Sequence, residues 1–165
     1  MIIREITLND AVSFVNLIKQ VESQSQYMLF EPGERIIEPE QQEKRIEAMK
    51  KESNSTIFVA EKNEKLIGYL IAIGGSAKRN KHSVYLVIGI LSQYRGLGIG
   101  TKLFNQLEEW ATEHRVHRLE LSVVTHNEAG LRLYKKMGFE IEGTKRNSLN
   151  IDGEFVDEYY MSKLL

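Results

Sequence analysis

The run Arg95-Gly96-Leu97-Gly98-Ile99-Gly100-Thr101 places glycine at three alternate positions between an apolar stretch and an amphipathic one. Glycine lets a backbone turn tightly and aim successive N–H groups into one concavity, an arrangement that binds anions. A helix opening at the end of this run would add its positive N-terminal end, so that a phosphate or pyrophosphate at Gly98 to Thr101 is held largely by main chain. Arg95 can add a charge-assisted clamp. Two other phosphate loops fail on spacing. A dinucleotide fingerprint starting at Gly96 needs a third glycine where Thr101 stands, and a P-loop needs Lys and then Ser or Thr directly after its last glycine, whereas Gly100 is followed by Thr101 and Lys102. The plain alternative is a glycine-rich turn that only links a strand to a helix.

A second constellation lies downstream: Asn127, Ala129, Leu133, Tyr134, Gly138 and Phe139. With Gln93, Gly96 and Gly98, or equally Arg95, Gly98 and Gly100, it resembles the paired motifs of the GNAT N-acetyltransferase superfamily, Q/R-x-x-G-x-G/A followed by N-x-A-x-x-x-L-Y-x-x-x-G-F. The C-terminal part, through Glu142-Gly143, Arg146, Asp152-Gly153, Asp157 and Met161, is similar to the branch holding ribosomal-protein N-terminal acetyltransferases and small-amine enzymes such as those acting on spermidine. The resemblance implies a twisted mixed sheet whose fourth and fifth strands splay apart around the pantetheine arm of acetyl-CoA. It further implies that Ile90 and Leu91 meet pantetheine through backbone groups. Arg95, Gly96, Leu97, Gly98, Ile99, Gly100 and Thr101 would hold the pyrophosphate, Asn127 would bond the cofactor arm, and Tyr134 would face the sulfur.

On that reading a primary amine attacks the thioester carbonyl directly, and backbone N–H groups of the splayed strand stabilise the oxyanion. Two protons must move. An alkylamine with a pKa near 10.4 is neutral in only about one part in several thousand at pH 7, so a base or a water chain must take its proton, while an α-amine near 8 needs less help. The leaving thiolate needs a donor, and the Tyr134 phenol, with an ordinary pKa near 10, can serve without ionising at neutral pH. No cysteine is present, which excludes an acyl-cysteine intermediate. The base is less defined. Many family members carry a glutamate on the fourth strand, but Ser83 to Gly89 offers no carboxylate. Glu31 is the first candidate and Glu34 the second, with an ordered-water relay as the alternative to both. Phe30, Glu31 and Glu34 belong to an aromatic and acidic stretch, Gln24 to Arg35, that reads either as an acceptor-contacting loop or as an ordinary loop tucking apolar side chains into the core.

These groups need a scaffold, and the sequence outlines one. Ile2 to Thr7 reads as a strand, and Asn9 or Asp10 can cap a helix whose apolar residues are Val12, Val15, Leu17, Ile18 and Val21. Pro39 to Lys51 reads as a helix with Ile46 and Met49 inward. Thr56 to Glu61 and Lys65 to Ile73 form a predicted hairpin, and Gly74 to Ser83 a loop with no assigned role. Val84 to Leu91 is almost continuously apolar, the pattern of a central strand buried on both faces. Leu103, Phe104, Leu107, Trp110 and Ala111 follow at helical spacing, Trp110 as a core residue. Arg118 to Thr125 is a strand, Asn127 to Met137 a short helix stopped by Gly138, and Phe139 to Leu149 with Glu154 to Leu164 a hairpin turning at Asp152-Gly153. The predicted fold class is α/β (α+β), a single domain over residues 1–165.

At 165 residues with a formal net charge of -1 and a pI near 6.4, the chain supports one core and has no bulk charge to capture nucleic acid or an anionic membrane. Neither is an expected partner. The expected partners are acetyl-CoA and a small-molecule amine or peptide N-terminus, with a homodimer as a possible state. His114 and His117 lack a third ligand nearby, so no metal is expected, and His126 is the one histidine placed close to the cofactor. The N-terminus lacks a signal-peptide pattern and the absence of cysteine suits a reducing compartment, which together point to the cytoplasm. Two rival readings stay open: a non-catalytic acyl-CoA-sensing module, and a transferase acting on proteins rather than metabolites.

Overall fold

The computed structural model describes all 165 residues, Met1–Leu165. In chain order they form β1 (Ile2–Glu5), a 3₁₀ turn (Leu8–Asp10), α1 (Ala11–Gln24), α2 (Pro39–Lys51), β2 (Thr56–Lys62), β3 (Lys65–Gly74) and β4 (Ser83–Ile90). A second 3₁₀ turn (Ser92–Tyr94), α3 (Ile99–Glu113), β5 (Arg118–Val124), α4 (Glu128–Lys136), β6 (Glu140–Ile151) and β7 (Glu154–Leu164) complete the chain. The seven strands make one sheet in the order β1-β2-β3-β4-β5-β7-β6. Every neighbouring pair is antiparallel except β4 and β5. The expected α/β class with a mixed sheet is therefore what the chain adopts.

Local chemistry accounts for the boundaries. Asn63 and Glu64 hold positive φ angles of 50° and 63° between β2 and β3, and Asp152 and Gly153 hold 52° and 85° between β6 and β7, which is the left-handed pair a two-residue hairpin turn requires. Pro39 opens α2, where a missing N–H costs nothing. The Asn127 side chain accepts a hydrogen bond from Gly130 N–H (2.9 Å) to cap α4, and Gly138 at φ 92° stops it.

Adjacent residues on β3 show how the layers sit. The Tyr69 ring meets Phe14 of α1 edge-on, with centroids 5.5 Å apart. A Cβ on Gly68, facing the other way, would lie 3.6 Å from Ile99 of α3. The first helix and the third thus cover opposite faces. The Leu133 side chain of α4 lies against Gly100, and Tyr134 packs on Phe104, so α4 shares the α3 face.

Two local expectations are corrected. Val12 points to solvent, because the inner stripe of α1 is Ala11, Phe14, Val15, Leu17, Ile18 and Val21. The fourth strand is central but not buried on both faces: Tyr85 is exposed and Val87, Ile88 and Ile90 are half-buried. Its apolar run is interrupted in burial because β5 pairs with it only at Ser83, Val84 and Tyr85. Beyond Tyr85 the two strands diverge, and the second half of β4 has a neighbour on one edge alone.

The entry to α1 is fixed electrostatically. Asp10 stands at its N-cap position, yet its carboxylate bonds Arg4 through both terminal nitrogens (2.7 and 2.8 Å) and accepts from Thr7 N–H (2.8 Å). Arg4 also reaches Glu61 of β2 (3.2 Å), so one guanidinium ties strand edge to helix. Hydrogen bonding to Arg4, assisted by Thr7 and opposed by burial, lowers the Asp10 carboxyl to about 2. Protonation is then harder in the folded chain than in the unfolded one. The stabilisation is complete above about pH 4 and is lost as pH falls toward 2, and amounts to up to about 2 kcal/mol. Urea unfolding at pH 6 should show Asp10→Asn less stable than the parent, and at pH 2.5 the gap should have mostly closed. An equal gap at both pH values would show that Asp10 acts through packing alone.

Candidate active site

The site is built where β4 and β5 part. Leu91 N–H donates to Ile67 on β3 (3.0 Å), which makes Leu91 and, by alternation, Gly89 the residues bonded toward β3. The N–H and C=O groups of Ile88 and Ile90 accordingly aim into the gap. The Ile90 carbonyl is met there by Arg95 Nε (3.3 Å). The remaining polar groups along this edge are donors and acceptors with no strand opposite, and an extended ligand carrying amides is the shape that completes them.

The glycine run continues from this edge into α3. Gly96 and Gly98 hold φ angles of 73° and 81°, and a Cβ on either would meet nothing within 4 Å. These glycines serve backbone conformation and leave open space before the helix. Gly98 is the N-cap of α3 and no side chain caps it. The first N–H to reach back along the helix is that of Lys102, to Gly98 O (3.1 Å). Ile99, Gly100 and Thr101 therefore offer N–H groups at the positive end of a 15-residue helix. Ile99 and Gly100 are buried, pinned between Gly68 and Leu133, which holds the nest rigidly. Lys136 of α4 brings its ammonium to Thr101 Oγ1 (3.4 Å), a second cation beside the nest. Sequence reading missed it, although its position two residues after Tyr134 in the second motif was the available signal.

Tyr134 approaches from α4. Its ring contacts Phe104 (5.9 Å) and Phe139 (6.2 Å), and the side chain is 9% exposed. Burial, with Tyr85 as the lesser cause, pushes the phenol up to about 12, so it is a proton-bearing donor at neutral pH. Asn127 heads the same helix with its side-chain oxygen spent on the cap, which leaves its amide N–H groups for a ligand.

On the opposite sheet face, the stretch after α1 spans the mouth of the gap. Gln24 Oε1 accepts from Ser92 N–H (2.8 Å) just past β4, and Tyr27 donates to the His126 carbonyl (3.5 Å) just past β5. Phe30 is half-buried under the Arg35 guanidinium, 4.3 Å from its ring centroid. Glu31 and Glu34 are exposed and share a tight turn, Glu34 N–H donating to Glu31 O (3.1 Å) around Gly33 at φ 74°. Tyr69 was also not foreseen: its phenol lies where a Gly89 Cβ would stand (2.8 Å), so a tyrosine from β3 fills the face of β4 that bears no side chain there. A cavity of about 390 Å³ on this same face is lined by Ile73, Tyr85, Arg118 and Glu120, at the paired ends of β4 and β5. His114 stacks on Trp110 (4.7 Å) and bonds its carbonyl, and the backbone N–H of His117 donates to the His82 carbonyl, far from the nest.

Comparison with known proteins agrees with this geometry. Residues 22–139 match the model of the acetyltransferase (GNAT) family. An L-amino acid N-acetyltransferase, AaaT of Escherichia coli, is 33% identical over 60% of this chain, and the chain spans 62% of that relative's length. A GNAT-family acetyltransferase of Streptococcus pneumoniae has the same structure over 99% of both chains, with a TM-score of 0.96 and 30% identity. A third structure, yncA of Salmonella typhimurium with its cofactor acetyl-CoA, matches in fold at TM-score 0.88 and 19% identity, covering 99% and 93% of the two chains. A strand pair opened beside a main-chain anion nest, carried on a chain that matches the family over most of its length, makes this protein a member of the acetyltransferase (GNAT) family.

Proposed function

We propose that the protein transfers the acetyl group of acetyl-CoA to a primary amine. The observation that carries this reading is the divergence of β4 from β5 directly beside the Gly98 helix start, with Tyr134 of α4 packed on Phe104 of that same helix. Acetyl-CoA fits the gap by chemistry: its amides pair with the free edge at Ile88 and Ile90, and its pyrophosphate meets the N–H groups of Ile99, Gly100 and Thr101 with Lys136 nearby. Leu91, Arg95, Gly96, Leu97 and Gly98 shape this path, and Asn127 bonds the arm through its free amide.

With the thioester carbonyl at the open edge, a β4 N–H stabilises the oxyanion as the amine attacks. The C–S bond then breaks and the sulfur takes negative charge. A phenol pushed up to about 12 releases its proton reluctantly, so Tyr134 contributes a hydrogen bond that strengthens as that charge grows. Glu31, with Glu34 second, takes the amine proton directly or through water from the exposed segment. The acceptor lies against Phe30 under the stretch tied to Ser92 and His126. That cover over the mouth supports a small amine over a peptide N-terminus. Relatives include both an amino-acid acetyltransferase and N-alpha-acetyltransferases. A cytoplasmic enzyme of this kind needs neither nucleic acid nor membrane, and no helix here is long and apolar enough to cross one. A homodimer is compatible with this chemistry, which uses residues of one chain only.

A thiol-release screen with acetyl-CoA over amino acids, polyamines, aminoglycosides and N-terminal peptides tests the reading. No release above the solvent rate with any amine would refute it. Two variants locate the chemistry. Gly98→Asp should fold, since the site is open and Asp tolerates positive φ better than most residues, but it sets a carboxylate at the nest, so calorimetry should show CoA binding abolished. Unchanged affinity would remove the nest from the site. Tyr134→Phe should keep acetyl-CoA affinity while kcat falls by about 10²- to 10⁴-fold. Parent-like turnover, measured where chemistry limits the rate, would make Tyr134 a packing residue.

A further inference from the structure

One buried charge of the fold has no part in the proposed chemistry. Glu22, in the last turn of α1, is 3% exposed, and its Oε1 takes both Arg35 Nη2 (2.5 Å) and Arg35 Nε (2.7 Å). Its carboxylate is engaged by the guanidinium inside the fold. It also lies in a helix whose neighbouring inner residues are apolar, where a lone charge would be costly. The pair therefore needs another explanation, and the segment it closes supplies one. Residues 25–38 form no helix or strand, and Arg35 is the point at which they are drawn back onto α1. The bound guanidinium then lies over the Phe30 ring, 4.3 Å from its centroid, so the aromatic side chain proposed to meet the acceptor is held on one face by Arg35, itself fixed by Glu22. Gln24 and Tyr27 fix only the first residues of the segment, at Ser92 and His126. Nothing but the Glu22–Arg35 pair and the Glu31–Glu34 turn orders its middle by polar contact.

We infer that Glu22 is a positioning residue for the acceptor: through Arg35 it fixes Phe30 and the Glu31 turn in the geometry that receives the amine. This rests on the acetyl-transfer reading, and it assigns the wall of the acceptor site to a buried ion pair rather than to residues that touch the substrate. Glu22→Gln keeps the shape and removes the charge. Arg35→Gln acts from the half-exposed side and spares the fold if the first variant does not. Each should raise KM for the acceptor by about 10- to 100-fold, with kcat changed far less and acetyl-CoA affinity unchanged. The double variant should be no worse than the more severe single one, since both remove one interaction. Arg35→Lys, which keeps charge but loses the two-pronged geometry, should recover part of the loss. Amide exchange over residues 25–38 should quicken in the single variants while the sheet stays protected. That readout needs no turnover, so it stands even if the acetyl-transfer reading fails, a failure that would show in the parent protein as absent thiol release. Acceptor kinetics within twofold of the parent in both single variants, or unchanged exchange over residues 25–38, would overturn the assignment.

Discussion

The structure depends on one constraint: two parallel strands that pair for three residues and then separate. A parallel pair must be joined by a crossover, and here the crossover is the glycine run with α3. Because the strands separate at the end from which that crossover departs, the unpaired edge of β4 leads straight into the helix N-terminus. Unpaired backbone is costly in a half-buried place unless something completes it. The same feature that weakens the sheet is thus a template for a ligand that is extended and amide-bearing along one part and anionic at its end. Pantetheine joined to pyrophosphate has that order of groups.

The two ends of this path are mechanically joined. Arg95, expected as a clamp on phosphate, bonds the Ile90 carbonyl and so ties the exit of the glycine run to the last residue of β4. Ile99 is buried against Gly68. The nest is held by packing on β3 and by main-chain geometry at Gly96 and Gly98, so an anion binding there finds its donors already oriented. Across the sheet, Gln24 and Tyr27 fasten the segment after α1 to Ser92 and His126, neighbours of Leu91 and Asn127. The segment after α1 is therefore coupled to both lips of the gap through two hydrogen bonds.

Much of this was legible in the sequence for definite reasons. Helices α2 and α3 have strong apolar periodicity or a proline at the start, and the hairpin turns carry residues that accept positive φ. The glycine run announces itself by spacing, and Tyr134 by a motif with several fixed residues. What stayed hidden depends on tertiary contact. An apolar β4 reads as buried on both faces whether its neighbour stays paired or leaves, since the departure of β5 is written in topology and not in side-chain type. Nothing in the sequence singles out Tyr69, because only the absence of a side chain at Gly89, on the neighbouring strand, gives its phenol a place. Nothing in the sequence marks Glu22 as buried, because its burial requires Arg35, thirteen residues on, in a segment with no periodicity at all.

The placement of ionisable groups gives the chemistry a direction. The donor side is dry: Tyr134 is enclosed by Phe104 and Phe139, and its proton stays on the phenol. The side proposed for the acceptor is wet, for Glu31 and Glu34 are exposed and β4 carries no carboxylate from Ser83 to Gly89. At neutral pH an α-amine is already neutral in roughly one part in ten, against about one part in several thousand for an alkylamine. On the proposed reading, an enzyme with its hydrogen-bond donor to sulfur buried and its base left in water asks less of that base when the acceptor is an α-amine.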